Sequence, residues 1–212
     1  MKAVLWDLDG TLADSSEFHW RSWRDTMASA GEPITHEQFL ASFGQRNDAI
    51  LGRWLGDRAA ADRRRDIGDA KEALYRRMIQ DAGIKPLPGA AEWVARLHAE
   101  GWRQAIASSA PRANVEVMAN VLGLRAAMGA LVSAEDVTHG KPAPDVFLAA
   151  AARLGVPADR CVVVEDAEAG IEAARRAGMR RIGVGRADFS GADISVVSLS
   201  DLAPDAFDRL VA

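Results

Sequence analysis

Short apolar segments alternate with longer segments of helical periodicity along most of this chain. The apolar segments have the length of strands, whereas the segments between them repeat their apolar residues every three or four positions. The predicted strands are Ala3–Trp6, Gln104–Ala107, Ala130–Val132, Cys161–Val164, Arg181–Val184 and Ile194–Val197. Alternation of buried strands with helices is typical of a parallel sheet covered by helices. The pattern therefore predicts an α/β fold.

Proline and glycine mark the limits of the helices between these strands. Proline is favoured in the first turn of a helix, and glycine directly after its last turn, where the backbone becomes left-handed. With these signals, the predicted helices are Ala90–Glu100, Pro111–Leu122, Pro144–Leu154 and Ala167–Ala177.

The segment from Ser15 to Asp81 has a different pattern. It contains no convincing strand and is typical of several amphipathic helices, interrupted at Gly31-Glu32-Pro33, at Gly44 and at Gly56. We interpret residues 15–81 as a helical domain inserted after the first strand. The α/β domain then comprises residues 1–14 and 82–212.

Charge and composition narrow the class of protein. The 212 residues include 26 Lys and Arg against 30 Asp and Glu, a formal net charge of -4, and 49% are hydrophobic. This composition is that of an ordinary globular protein, and a protein that coats nucleic acid would need a basic excess. We interpret Arg63-Arg64-Arg65, flanked by acidic residues, as a solvated helix face. We therefore expect no nucleic-acid partner.

Cysteine content and hydropathy suggest where the protein works. Cys161 lies in the apolar run Cys161-Val162-Val163-Val164, where a small buried thiol is expected, and it has no second cysteine to pair with. No window approaches the ~18 uncharged apolar residues of a membrane span. We predict a cytoplasmic protein without a membrane partner, and we expect a monomer.

Polar side chains follow four of the predicted strands. Asp7 and Asp9 follow the first, Ser108 and Ser109 the second, a segment containing Lys141 the third, and Glu165 and Asp166 the fourth. In an open parallel sheet, ligands bind beyond the carboxyl ends of the strands. These residues therefore predict one site at one edge of the sheet.

The carboxylates in this set favour a metal ion. Asp7 and Asp9 can share a small volume because the second has left the strand before Gly10, and close like charges need a compensating cation. Asp7 and Asp166 would supply the one or two carboxylates that Mg²⁺ usually takes. Ordinary alternatives stay open for each residue taken alone. They are turn chemistry for the two aspartates, helix capping for the serines and for Glu165-Asp166, and a surface position for Lys141.

The same residues carry a resemblance to a known family. Asp7-Leu8-Asp9-Gly10-Thr11, Ser108, Gly140-Lys141-Pro142 and Glu165-Asp166 resemble the four ordered signatures of the haloacid dehalogenase superfamily. The surrounding phrases are similar to the branch of small sugar phosphatases and β-phosphoglucomutase. The resemblance covers essentially the whole chain. It implies a Rossmann-like core with a helical cap inserted after the first strand.

The resemblance also implies the roles of the residues. Asp7 would attack phosphorus and become an aspartyl phosphate, and Asp9 would act as acid and then as base. Lys141 and Ser108, with Ser109, would bind the phosphoryl oxygens. The implied ligands of Mg²⁺ are the Asp7 and Asp166 side chains and the Asp9 backbone carbonyl, assisted or oriented by Glu165.

In the cap, the resemblance implies substrate contacts from His19, Trp23, Arg46 and Lys71. Packing within the cap, or a solvated face, is the alternative for each of them. The expected substrate is a small phosphate ester, not a haloacid, since the dehalogenases of this superfamily lack a carboxylate at the position of Asp9.

The reaction class leaves alternatives open. We predict a Mg²⁺-dependent phosphatase acting on a sugar phosphate. A β-phosphoglucomutase-type phosphomutase is the first alternative, but its pattern has a polar residue at Ala110 and an Asn at Arg112. A phospho-aspartate signalling module or a non-catalytic binding module is a further alternative. The length of the helical cap argues against the signalling module, and the complete set of site residues argues against the binding module.

Overall fold

In the computed structural model, which describes residues 1–42 and 45–211, a parallel six-stranded sheet has the order β3-β2-β1-β4-β5-β6. Its strands are β1 Ala3–Trp6, β2 Arg103–Ala107, β3 Ala130–Val132, β4 Cys161–Glu165, β5 Arg180–Val184 and β6 Ile194–Val196. The predicted α/β fold with a parallel sheet is confirmed. The strand bounds differ from the prediction by one residue at several ends, and β4 includes Glu165.

The helices divide between two units of the chain. In chain order they are α1 Ser16–Ser29, α2 His36–Leu40, α3 Asn47–Leu55, α4 Ala61–Ala82, α5 Ala90–Ala99, α6 Arg112–Val121, α7 Asp145–Leu154, α8 Glu168–Arg176 and α9 Ala206–Leu210. The first four form one unit, Ser15–Gly83, and the others belong with the sheet to the second unit, Met1–Asp14 and Ile84–Ala212. None of the described helices is long and apolar enough to span a membrane.

The register of the sheet places three strand ends side by side. Trp6, the last residue of β1, pairs with Ile106 of β2 and with Val164 of β4. The chain continues from β1 to β2 on one side of β1 and reaches β4 on the other, so the strand order reverses there. Such a reversal leaves a crevice beyond the carboxyl ends of the strands. The residues directly after β1, β2 and β4 are therefore the ones that can form a site.

One face of the sheet packs on α7 and α8. Ala3 and Leu5 of β1 point to this face and lie in one buried cluster with Val163, Phe147 of α7 and Ala173 of α8. Alternate residues of a strand share a face, and β1 is buried along its whole length. The free thiol of Cys161 lies in the same cluster and is buried, as predicted.

Aromatic residues pack on the opposite face. The rings of Trp6 and Phe207 are 5.9 Å apart, and Trp93 of α5 is 5.0 Å from the same Phe207 ring. Gln104 is a polar residue inside β2, but its amide accepts from Trp6 Nε1 at 2.9 Å and donates to the Val94 carbonyl at 2.9 Å. Both ends of a buried amide thus have partners, as burial requires. These contacts fix β1 and β2 from this second face of the sheet.

The helical unit has a hydrophobic cluster of its own. It contains Trp23 and Met27 of α1, Phe39 of α2, Leu51 of α3 and Ile67 of α4. The predicted break at Gly31-Glu32-Pro33 falls just after α1, and Gly56 ends α3. The predicted break at Gly44 lies outside the described residues.

The basic triplet of the helical unit is not uniform. Arg63 and Arg65 are exposed on α4, as expected for a solvated face. Arg64 is half-buried and its Nη1 donates to the carbonyls of Gly56 and Ala59, at 2.7 and 3.0 Å. Arg64 therefore binds backbone acceptors at the end of the preceding helical segment.

Candidate active site

Backbone hydrogen bonds extend two strands by one residue and so fix the first site residues. The Asp7 amide donates to the Val164 carbonyl at 3.0 Å, and the Ser108 amide donates to the Val132 carbonyl at 3.0 Å. Asp7 and Ser108 are therefore held by the sheet itself. Both are buried. Their side chains have defined positions at the edge predicted to carry the site.

Lys141 reaches this edge from the segment after β3. Its Nζ donates to Asp7 Oδ1 and to Glu165 Oε1, and its side chain is only 9% exposed. Burial opposes the charged ammonium, but the two carboxylates outweigh that effect and raise the pKa of Lys141. Lys141 is thus a buried, protonated cation that links β1 to β4.

Three carboxylates lie close together beside Lys141. Asp7, Glu165 and Asp166 each have an oxygen within 4.8 Å of an oxygen of the others. Burial, together with the neighbouring Glu165 and Asp166, raises the pKa of Asp7 well above its usual range, although Lys141 opposes the shift. Burial and Glu165 also raise the pKa of Asp166 to about 7, although Lys141 and a hydrogen bond from Thr11 lower it. With all three carboxylates ionised, the cluster would have more negative charge than Lys141 compensates, and burial beside these neighbours therefore favours the protonated forms of Asp7 and Asp166.

A hard divalent cation fits this donor set. The ligands are carboxylate oxygens, which Mg²⁺ and similar ions prefer. A bound cation would also favour the ionised carboxylates that burial now disfavours. The members of the cluster are Asp7, Glu165 and Asp166. The role assigned to Asp9, through its backbone carbonyl, stays a prediction.

Asp9 lies in a tight turn two residues beyond Asp7. The Gly10 amide donates to the Ala13 carbonyl at 2.8 Å, and Asp9 itself is half-buried. Gly10 has a φ of +88°, and a Cβ there would lie 2.1 Å from Asp166 Oδ2. Only glycine fits this position, since it permits both the backbone conformation and the close approach of Asp166.

The two predicted serines differ in their surroundings. Ser108 is 2% exposed, and its Oγ accepts a hydrogen bond from the Ala110 amide at 3.0 Å. The hydroxyl proton of Ser108 can still be donated, because an accepted hydrogen bond uses only a lone pair. Ser109 is half-exposed. Pro111 occupies the cap position of α6 without a side-chain hydrogen bond, so neither serine caps that helix.

Three of the four predicted cap residues come together in the helical unit. Lys71 Nζ lies 2.9 Å from His19 Nδ1 and 5.2 Å from the centre of the Trp23 ring. Lys71 and Trp23 are buried, and His19 stacks on Tyr75 at 4.2 Å. Arg46 is exposed, and its Nε lies 3.8 Å from Asp48 Oδ1.

A model of haloacid dehalogenase-like hydrolases matches residues 1–178. This chain belongs to the haloacid dehalogenase-like hydrolase family. The predicted resemblance is therefore confirmed, and the Rossmann-like core is the fold of this family.

Named members of the family are similar over most of the chain. CbbY from Rhodobacter capsulatus is 32% identical over 99% of each chain. Fructose-1-phosphate phosphatase YqaB from Escherichia coli K12 is 34% identical over 85% of this chain and 95% of its own. Beta-phosphoglucomutase from Bacillus subtilis is 32% identical over 95% of this chain and 92% of its own. The chain also spans 18% of SUPPRESSOR OF QUENCHING 1 from Arabidopsis thaliana, at 37% identity over 87% of this chain.

A solved structure of the family is similar throughout. CbbY from Rhodobacter sphaeroides in complex with phosphate has a TM-score of 0.88 at 28% identity, covering 98% of this chain and 99% of its own.

Thr11 had no predicted role of its own within the signature that contains it, and Asp136 was not predicted as a site residue. Thr11 Oγ1 donates to Asp166 Oδ1 at 3.3 Å. Asp136 accepts from the Ser133 amide and hydroxyl, both at 2.8 Å, and also binds Arg112 and Arg153. The Ser-x-x-Asp spacing after β3 is a capping-box pattern and could have indicated Asp136.

In the helical unit, Glu72 was missed as well. Its Oε1 accepts from Lys71 Nζ at 2.9 Å and from Asn47 Nδ2 at 2.7 Å. Glu72 is 6% exposed. The signal that could have indicated Glu72 is its position directly after Lys71, a predicted functional residue on a helix.

Proposed function

We propose that this chain is a Mg²⁺-dependent phosphatase that hydrolyses a small phosphorylated metabolite, a sugar phosphate, through an aspartyl phosphate on Asp7. The observation that carries the proposal is the contact of Lys141 with both Asp7 and Glu165, with Asp166 completing the acidic cluster. A buried carboxylate beside a cation and further carboxylates suits phosphoryl transfer, which depends on positioning and charge stabilisation.

The first half-reaction uses Asp7 and Asp9. An Asp7 oxygen attacks phosphorus and forms the O–P bond of the aspartyl phosphate, while the P–O bond to the sugar breaks. Asp9 gives its proton to the leaving oxygen. In the second half-reaction, Asp9 takes a proton from water, the water oxygen binds phosphorus, and the bond between Asp7 and phosphorus breaks.

Other residues position the phosphoryl group. Lys141 and Ser108 would donate hydrogen bonds to its oxygens. The contacts described above already position both side chains. Asp7, Asp166 and the Asp9 carbonyl would hold Mg²⁺, with Glu165 assisting, and the ion would offset the charge on the phosphoryl oxygens. The backbone hydrogen bonds of Asp7 to β4 and of Ser108 to β3 hold at fixed positions the nucleophile and the serine that would donate a hydrogen bond to the phosphoryl group.

The substrate class is supported by the named relatives. They include a fructose-1-phosphate phosphatase and two hexitol phosphatases. We assign the choice of sugar to the cap, residues 15–81. His19, Trp23, Arg46 and Lys71 are its proposed contacts.

A phosphomutase is the second candidate, because beta-phosphoglucomutase is among the relatives. A mutase must hold a second phosphate, and the resemblance assigns part of that task to the positions of Ala110 and Arg112. Ala110 has no polar side chain, and the guanidinium of Arg112 binds Asp136. Because Arg112 is already paired, these positions favour hydrolysis.

A panel of sugar phosphates followed by phosphorus NMR tests the proposal. Hexose, pentose and hexitol phosphates are incubated with the protein and Mg²⁺, and a chelator is added in parallel. We expect inorganic phosphate with Mg²⁺ and none with the chelator. Isomeric phosphates would instead indicate a mutase. A stable phosphoprotein without turnover would indicate a signalling module, and no reaction with any ester would overturn the proposal.

The nucleophile is tested by Asp7→Asn. The variant should fold, because it replaces a buried carboxylate by a neutral side chain of the same shape, and it should lose at least about 10³-fold in kcat. Asp159→Asn is the matched control, since Asp159 is exposed and lies outside the site. Equal activity of Asp7→Asn and the control would exclude Asp7 as the nucleophile.

A further inference from the structure

Glu165 is buried with both carboxylate oxygens engaged. Oε1 accepts from Lys141 Nζ, and Oε2 accepts from the Ala167 amide at 2.8 Å. Its side chain is only 2% exposed. A buried carboxylate is stable only where such partners are present, so the position of this group is tightly constrained.

Gly170 makes the space in which this carboxylate lies. A Cβ on Gly170 would lie 1.9 Å from both Cδ and Oε1 of Glu165, and 2.5 Å from its Cγ. Real Cβ atoms do not approach other atoms so closely, and therefore the Glu165 carboxyl group rests directly against the bare Cα of α8.

The helix itself gives no reason for a glycine here. Gly170 lies within α8 and has no positive φ. Alanine is the better helix former at such a position. Gly52 in α3 is a useful contrast, because a Cβ there would meet nothing within 4 Å. The glycine at position 170 is thus explained by what lies beside it.

We propose that Gly170 is a positioning residue, which acts through Glu165 to hold Lys141 against Asp7. Any side chain at position 170 displaces the Glu165 carboxylate, and Lys141 then loses one of the two acceptors that fix its Nζ. The consequence for turnover rests on the proposed phosphatase function. The steric relation between Gly170 and Glu165 does not.

The experiment is a double-mutant cycle with Gly170→Ala and Glu165→Ala. Gly170→Ala alone should lower kcat/KM for an aryl phosphate by about 10- to 100-fold and lower the midpoint of thermal unfolding. In the Glu165→Ala background the same change should leave kcat/KM unaltered, because the clashing carboxylate is gone. It should also raise the unfolding midpoint, since only the helix preference for alanine remains.

Gly52→Ala is the matched control. It places the same methyl group on a helix with open space around it, and should raise the unfolding midpoint without changing kcat/KM. An unchanged kcat/KM in Gly170→Ala, or an equal loss in both backgrounds, would overturn the proposal.

The unfolding midpoints separate this inference from the proposed function. If the wild-type protein released no phosphate, the phosphatase proposal would fail, but the reversal of sign between the two backgrounds would still test the steric relation. If Gly170→Ala does not fold, the double variant should, because it lacks the clash. Failure of both to fold would overturn the inference.

Discussion

Lys141 in the sheet unit and Lys71 in the helical unit are both buried lysines, but their surroundings differ. Lys141 contacts two carboxylates and stands beside a third, Asp166. Lys71 contacts the Glu72 carboxylate, His19 Nδ1 and the faces of the Trp23 and Tyr75 rings. The first cluster places three carboxylates around one lysine, whereas in the second Lys71 pairs with Glu72.

This difference shows which cluster is suited to a further ionic partner. In the sheet unit, the raised pKa of Asp7 and the pKa of Asp166 near 7 reflect like charges held together under burial. A cation would relieve that repulsion. Lys71 pairs with Glu72, and the aromatic faces also attract the ammonium group. We infer that Lys141 acts in the chemical step, and that Lys71, besides its proposed contact with the substrate, stabilises the fold of the cap.

The largest effect on turnover is expected for Lys141→Met. The change removes a donor to the phosphoryl group and the partner of the nucleophile, so kcat/KM for an aryl phosphate should fall by at least about 10³-fold. Initial rates with saturating Mg²⁺ provide the measurement. A loss of less than tenfold would mean that Lys141 and Lys71 do not differ in the way described.

Lys71→Met should act mainly on stability. It removes the cation that pairs with the buried Glu72 carboxylate, and should lower the free energy of unfolding by about 3–5 kcal/mol. Turnover of an aryl phosphate, which offers the cap little to recognise, should fall by less than about tenfold. Urea titrations and initial rates measure the two effects.

The double variant Lys71→Met/Glu72→Gln is the control for this explanation. Removing both charges should recover part of the lost stability, because no carboxylate is left without its cation. If the double variant were as unstable as Lys71→Met, charge pairing would not be the reason for the loss.

A smaller effect on stability is expected at Asp136, whose carboxylate forms ion pairs with two arginines. Burial raises the pKa of Asp136, but hydrogen bonds from Arg153, Ser133 and Arg112 outweigh it and hold the pKa below its usual range. Asp136→Asn should therefore lower the free energy of unfolding by about 1.5–3 kcal/mol at pH 7. Glu172→Gln is the matched control, since Glu172 also binds two arginines but lies at the surface. Its effect should be much smaller than that of Asp136→Asn, because solvent screens ion pairs at the surface.

The lowered pKa of Asp136 also predicts how the stability of the protein depends on pH. Because the folded-state pKa of Asp136 lies below its unfolded value of about 4, its contribution is complete above that pH and is lost as the pH falls further. The stability difference between wild type and Asp136→Asn should thus be constant from pH 7 to about 4 and shrink below. A difference that grows towards low pH would contradict the assignment.

Much of the sheet unit could be predicted from local pattern. Apolar runs located the strands, and parallel pairing then places Asp7, Ser108 and Glu165 at one edge, since β1, β2 and β4 all end there. These three residues could therefore be predicted to lie together without any knowledge of loop paths. The one-residue extension of β4 was missed, because Glu165 is charged and only its partners make burial in a strand tolerable.

The contacts between segments could not be predicted in this way. Thr11 and Asp166 are 155 positions apart, and Arg112 and Asp136 are 24 apart. Whether such pairs meet depends on how loops run after the strands, and turn residues at a strand end look alike in sequence whether or not they contact each other. Glu72 was not predicted either, because the sequence indicated only its neighbour Lys71 as a site residue.

The sequence by itself determined which polar residues follow each strand. It thereby determined the chemistry available at the sheet edge, because side-chain periodicity and strand ends are local properties. Only the tertiary structure decided which of these groups touch. The placement of Lys141 between Asp7 and Glu165, and the bare Cα of Gly170 beside that carboxylate, result from the packing of α8 and the Lys141 segment on the sheet. Packing is a property of the whole unit, since each close contact depends on atoms that distant parts of the chain supply.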